Sequence, residues 1–126
     1  MKKALSIKRL VKSFSYAIKG FIKSFSEEAN MRVHVMMTIL VIISGFIFKV
    51  SRLEWIFLFF AIGLVIGAEL LNTAIENLVD LVCMERNEKA GLIKDVSASF
   101  VMILAITAAI VGLIIFIPKL FNILGV

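Results

Sequence analysis

The stretch G-A-E-L-L-N-T-A-I-E-N-L-V-D, Gly67–Asp80, decides how this chain folds. It continues an apolar run, Trp55–Ala68, with no loop signal between the two. Read as a helix at about 100° per residue, it brings Glu69, Asn72, Thr73, Glu76 and Asp80 within about 100° of arc. One stripe of the cylinder is polar and the remainder is apolar. A carboxylate set in or near hydrocarbon is costly, and by default it marks a functional site.

The rest of the chain fits a membrane setting. Of its 126 residues, 61% are hydrophobic. The mean hydropathy of +1.05 is too high for a soluble domain of this length. A single membrane domain, residues 1–126, is expected. So small a chain has little core of its own, so an oligomeric bundle is expected too. The one cysteine, Cys83, excludes a disulfide within the chain and reads as a small apolar residue. The N-terminus lacks the short apolar core and cleavage site of a signal peptide.

Outward from the polar stripe, residues 5–25 carry Ile7, Leu10, Val11, Phe14, Ile18, Phe21, Ile22 and Phe25 at helical steps. Lys8, Lys12, Ser15, Lys19 and Lys23 occupy the opposite side. This is an amphipathic surface helix, apolar face toward lipid and lysines toward phosphates. Ser26–Asn30 reads as a polar turn. Three transmembrane helices follow, at about 31–50, 53–83 and 92–117, so the fold class is all-α membrane protein. Arg32 and Lys49 are expected to snorkel outward, and Pro118 to end the third span. Gly63 and Gly67 form a G-x-x-x-G, which would let another helix approach closely.

Charge sets the orientation. Eight of the fourteen basic residues lie in Met1–Arg32. With the N-terminus cytoplasmic, Lys2, Lys3, Lys8, Arg9, Lys12, Lys19, Lys23, Arg32, Arg86, Lys89 and Lys94 lie inside, and Lys49, Arg52 and Lys119 outside. Such asymmetry predicts a plasma-membrane protein with its C-terminus outside. The basic N-terminus reads as lipid-surface binding; nucleic acid is not expected as a partner.

Depth then gathers the polar groups. Measured from Leu53, Glu69 lies about 24 Å across the membrane and Glu76 about 34 Å, near the inner edge of a core about 30 Å thick. Glu28, Asn72, Asp80, Lys94 and Asp95 are expected at the same level. Carboxylates, an asparagine, a lysine and a helix N-terminus at the lipid boundary suit ATP with Mg²⁺. Glu28 and Glu76 are the candidate metal ligands, because Mg²⁺ commonly takes one or two carboxylates beside phosphate and water. Lys94 and the helix start after Gly91 would meet phosphate. Glu69, the deepest, is the candidate general base for a lipid hydroxyl. No phosphate-binding G-x-x-x-x-G-K-[ST] loop is present.

Other readings compete. Glu69 alone could couple protons in a small transporter, and a membrane-disrupting or scaffolding peptide would not need the acidic stripe. Asn72 and Thr73 could bond across helices. Asp80 could pair with Arg86 or Lys89. His34 is expected to hydrogen-bond inside the bundle. Arg9 and Tyr16, seven residues apart, share a face of the surface helix. Glu85 and Glu88 read as solvated loop charges.

A-E-L-L-N-T-A-I-E-N-L-V-D (Ala68–Asp80), A-G-L-I-K-D (Ala90–Asp95) and E-A-N-M-R (Glu28–Arg32) resemble, in content and order, three motifs of the small prokaryotic diacylglycerol kinase family. The resemblance covers about residues 9–118. Asn30–His34 and Gly112–Leu120 are similar to its Gram-positive, undecaprenol kinase branch. His34 and Ala98 depart from the Gram-negative diacylglycerol kinases, which resemble this chain less at the lipid side. The resemblance implies a homotrimer with active sites between neighbouring protomers. It implies Glu69 as catalytic base, Glu28 and Glu76 as metal ligands, and Asn72 and Lys94 near the triphosphate. It also implies nucleotide contacts from Arg9, Tyr16, Glu85, Arg86, Asn87, Lys94 and Asp95. The activity implied is ATP–Mg²⁺-dependent phosphorylation of a membrane lipid alcohol, undecaprenol or alternatively diacylglycerol.

Overall fold

The computed structural model describes residues 6–126. They form four helices, α1 (Ile7–Glu27), α2 (Ala29–Ile47), α3 (Arg52–Val82) and α4 (Glu88–Leu124). No strand occurs among the described residues. Lys2, Lys3 and the expected helix start at Leu5 lie outside them. Helices α2, α3 and α4 are each long and apolar enough to cross a membrane. The chain is thus an all-α membrane protein. At 31 and 37 residues, α3 and α4 run about 46 and 56 Å, longer than the hydrocarbon is thick.

Helix α1 begins at Ser6, whose side chain accepts from the Arg9 backbone N–H. Its apolar face, including Ile7, Val11, Phe14, Ile18 and Ile22, is exposed in the single chain, as a lipid-facing surface requires. The expected polar turn narrows to one extended residue, Glu28, which ends α1 and starts α2. Arg32 is exposed and reaches back past the start of α2 to the end of α1. Its Nη1 donates to the Phe25 and Ser26 carbonyls at 3.2 and 2.9 Å. Those carbonyls end a helix and lack partners within it, so Arg32 finds a stronger acceptor there than in water. The corner between α1 and α2 is thereby tied.

The opposite end of the bundle is closed by packing. Lys49 takes a left-handed φ of 52° in the turn after α2. Ser51 and Glu54 form a reciprocal capping box at the start of α3. Trp55 lies against Phe46 and Phe59, with ring centroids 5.0 and 5.5 Å away. A Cβ at Gly45 would run into the Trp55 ring, so α2 can approach α3 here only because residue 45 has no side chain. Val50, Leu58 and Ile115 form the buried cluster, with Val41, Trp55, Val111 and Phe116 around it.

Helix α4 does not stop at Pro118. It continues to Leu124 with the proline inside it. An internal proline loses one backbone hydrogen bond, but membrane helices tolerate it when neighbours hold both sides. Here Ile115 and Phe116 are packed before it, and Lys119 after it pairs with Glu54 at 2.9 Å.

Gly63 and Gly67 meet no neighbour within the chain. Their face of α3, like most large apolar side chains on α2 and α4, is left to lipid or to other copies.

Candidate active site

Glu69 is 2% exposed, the most enclosed charged side chain among the described residues. Helix α3 carries it at the level where α2 begins. Met31 there is fully buried, and His34 stands one turn further along α2. His34 Nε2 lies 3.6 Å from Glu69 Oε2. One turn inward on α3, Asn72 is also buried, and its Oδ1 has no hydrogen-bond partner. An orphaned buried acceptor costs about 1–3 kcal/mol, so this oxygen waits for a donor. Thr73 bonds within its own helix, to the Glu69 carbonyl at 3.0 Å, rather than across helices.

The polar stripe grades outward. Glu69 and Asn72 are buried, Thr73 and Glu76 half-buried, and Asp80 exposed. Glu28, fixed in the extended break between α1 and α2, is half-buried. The charges of Glu28 and Glu76 both act on Glu69. Three carboxylates facing one histidine leave the site short of positive charge. No group of three or more His, Cys, Asp or Glu among the described residues is arranged to cage a metal. Mg²⁺ needs no such cage when phosphate oxygens and water complete its shell. Glu28 and Glu76 carry the kind of oxygen such an ion takes, and the charges of both reach Glu69.

Lys94 is held by Asp80, to whose Oδ1 its ammonium donates. Asp80 thus pairs across α3 and α4, not with Arg86 or Lys89. Glu76 is also near enough to act on Lys94. Helix α4 starts at Glu88, four residues before the expected start at 92. Gly91 lies inside the first turn, and its N–H already donates to the Asn87 carbonyl. Asn87 Oδ1 takes the N–H groups of Lys89 and Ala90 at 2.9 and 3.2 Å. The helix start expected to meet phosphate is therefore capped by its own chain. The cue was present in the sequence, an asparagine directly before a run opened by an acidic residue.

The remaining expected residues are not drawn together in the single chain. Arg9 and Tyr16 stand exposed on α1, with the Lys19 ammonium 5.9 Å from the Tyr16 ring centre. Glu85, Arg86 and Asn87 form the exposed connection between α3 and α4. The Glu85 carbonyl accepts from Cys83 Sγ at 3.2 Å. Asp95 is exposed one residue past Lys94. Among the described residues, no ion pair or side-chain hydrogen bond joins Arg9, Tyr16, Glu85, Arg86 or Asp95 to Glu69.

An open groove of about 500 Å³ runs beside this site, between α2, α3 and α4. Leu58 and Phe116 line it toward the closed end, and His34 and Val65 toward Glu69.

The family model for prokaryotic diacylglycerol kinase matches residues 15–116. The undecaprenol kinase of Bacillus subtilis is 39% identical over 114 residues, covering 90% of this chain and 93% of the relative. The diacylglycerol kinase of Synechocystis is 34% identical, covering 91% of this chain and 66% of the relative. That of Haemophilus influenzae is 32% identical, covering 92% of this chain and 99% of the relative.

Proposed function

The chain belongs to the prokaryotic diacylglycerol kinase family, and from that premise we propose that it passes the γ-phosphate of ATP to the hydroxyl of undecaprenol. The coarser statement, a membrane lipid kinase using ATP, follows from membership. Undecaprenol as acceptor rests on the high identity and nearly full coverage shared with the Bacillus subtilis undecaprenol kinase. Diacylglycerol is the second reading, favoured by the names of the Synechocystis and Haemophilus influenzae relatives. A proton-coupled transporter or a scaffold does not account for that membership.

One observation carries the chemistry: a carboxylate only 2% exposed, in contact with a histidine that lines an apolar groove, and acted on by further carboxylates. Glu69 takes the proton of the lipid hydroxyl. The freed oxygen forms a bond to the γ-phosphorus, the bond to the β-phosphate oxygen breaks, and ADP departs. Burial keeps water from competing for the same phosphorus. Asn72, with its free Oδ1, orients the acceptor or a water on the triphosphate. Glu28 and Glu76 hold Mg²⁺, which when bound offsets the charge of the phosphates. Lys94, steadied by Asp80, adds a point charge. Arg9, Tyr16, Glu85, Arg86, Asn87 and Asp95 contact the nucleotide, brought to it by neighbouring protomers in a homotrimer. The open Gly63–Gly67 face of α3 supports such an assembly. The N-terminus is cytoplasmic, where ATP is found, and the C-terminus lies outside.

The test is transfer of radiolabelled phosphate from ATP by the purified protein to undecaprenol and to diacylglycerol side by side. A higher kcat/KM for undecaprenol is expected. Preference for diacylglycerol would replace the acceptor, and no transfer to either would overturn the kinase reading for this site.

A further inference from the structure

His34 has no role in the scheme above, yet it holds a particular place. It is the side chain that touches both Glu69 and the groove. The groove wall is nearly all apolar, and of its residues only His34 and Thr38 have polar side chains. Thr38 Oγ1 is already spent on the His34 carbonyl at 2.8 Å. With the Thr38 proton spent, the imidazole is the one side chain in the wall left to supply a donor, while the Thr38 oxygen can only accept. Val65 lines the groove, and Glu69 is one turn on along the same face of α3. His34 thus joins the groove wall to the carboxylate. At 3.6 Å their contact is slightly longer than a hydrogen bond, as contacts of a working base often are before substrate arrives.

We propose that His34 is a positioning residue that holds the Glu69 carboxylate at the mouth of the α2–α4 groove, so that the base meets a hydroxyl carried on a single apolar chain lying in that groove. This rests on the kinase reading. With at most one donor side chain in its wall, the groove suits a long mono-alcohol. The ester carbonyls of a diacyl lipid would be stripped of water there without enough donors, at a cost of roughly 1–3 kcal/mol for each unpaired group. The occupant inferred is the hydrocarbon chain of the acceptor, because a residue of the groove wall, His34, contacts the base, whereas neither Gly63 nor Gly67 lines the groove.

The experiment compares His34→Leu and His34→Gln with the unchanged protein, with a long-chain polyprenol and diacylglycerol as acceptors. Leucine fills the space without a donor. Glutamine carries a donor nitrogen to about the same reach. For His34→Leu, kcat with the polyprenol should fall about 10- to 100-fold, the usual loss when a group that orients a functional side chain is removed. The KM for ATP and the oligomeric state should stay unchanged. His34→Gln should recover most of the loss. The preference for polyprenol over diacylglycerol should shrink in His34→Leu. Three results would overturn the proposal: full kcat in His34→Leu, no difference between leucine and glutamine, or a changed oligomeric state with kcat intact, which would put a second copy in the groove. If the unchanged protein phosphorylates neither lipid, the kinase reading itself fails; if it is active and the His34 variants match it, only the positioning role fails.

Discussion

The two ends of the bundle each hold a lysine–carboxylate pair, and the pairs are built for different ends. At the end proposed to lie outside, Glu54 accepts from the Ser51 backbone at 2.9 Å and from Lys119 at 2.9 Å, over a cluster of Val50, Leu58 and Ile115. Its polar atoms are satisfied from nearby, and with Ser51 it caps the start of α3. At the end proposed to lie inside, Glu69 is nearly sealed, faces a histidine at 3.6 Å and feels two other carboxylates. Asn72 beside it leaves an oxygen unpaired. One end spends its polar groups on holding the helices; the other keeps them uncommitted. Unspent polar groups in a buried place mark the working end, because nothing in the fold alone repays their burial.

Glu69→Gln puts the largest strain on this contrast. It removes the proton acceptor and keeps the shape. Transfer should fall about 10²- to 10⁴-fold, the usual contribution of a positioned base. Thermal unfolding in detergent should be no lower than for the unchanged protein, because a neutral amide is cheaper to bury beside Glu28 and Glu76. Wild-type transfer by this variant would remove the distinction between the two ends.

Gly45→Ala is the matching change at the closed end. The new Cβ would meet the Trp55 ring, and a packed indole gives way poorly. Overpacking of this kind costs about 1–3 kcal/mol, partly offset by the better helix propensity of alanine, about 1 kcal/mol. A lower unfolding temperature is expected with kcat per folded protein retained. A large loss of kcat at unchanged stability would mean that the outer end takes part in the reaction.

How much of this contrast was legible in the sequence depends on the kind of signal. The stripe Glu69–Asp80 and the α1 pattern were legible because helical periodicity needs only local spacing. The spans were legible because apolar length is a local property too. The end of α4 was not, because Pro118 obeys its surroundings: Ile115, Phe116 and Lys119 hold the helix through it. The pairing of Lys119 with Glu54, 65 residues apart, carries no local signature. Neither does that of Asp80 with Lys94, which lies on another helix. The backbone partners of Arg32 and Asn87 were missed for a different reason. Both sit at helix ends, where free backbone groups compete with solvent and phosphate for the same side chains.

Asp80→Asn probes the inner pair directly. Asp80 is well exposed, so losing its charge should cost the fold little. Lys94 would lose its anchor and sample more positions. The KM for ATP should rise about two- to fivefold, less than about 1 kcal/mol of binding. The unfolding temperature should hold. An unchanged KM would mean that the pair is as structural as its outer counterpart.

Lys119→Met gives the smallest effect and the cleanest separation. The pair is about three-quarters buried on both sides, and methionine keeps most of the apolar stem of lysine. Glu54 keeps its bond from the Ser51 backbone, so the carboxylate is not stranded. Stability should fall by no more than about 1 kcal/mol, read as a small drop in unfolding temperature. The KM for ATP and the lipid kcat should match the unchanged protein, since no group at this end faces the phosphates. Set beside Asp80→Asn, this makes a crossed pair: one change moves the KM and not stability, the other stability and not the KM. If both moved the same quantity, the division of labour between the two ends would be lost.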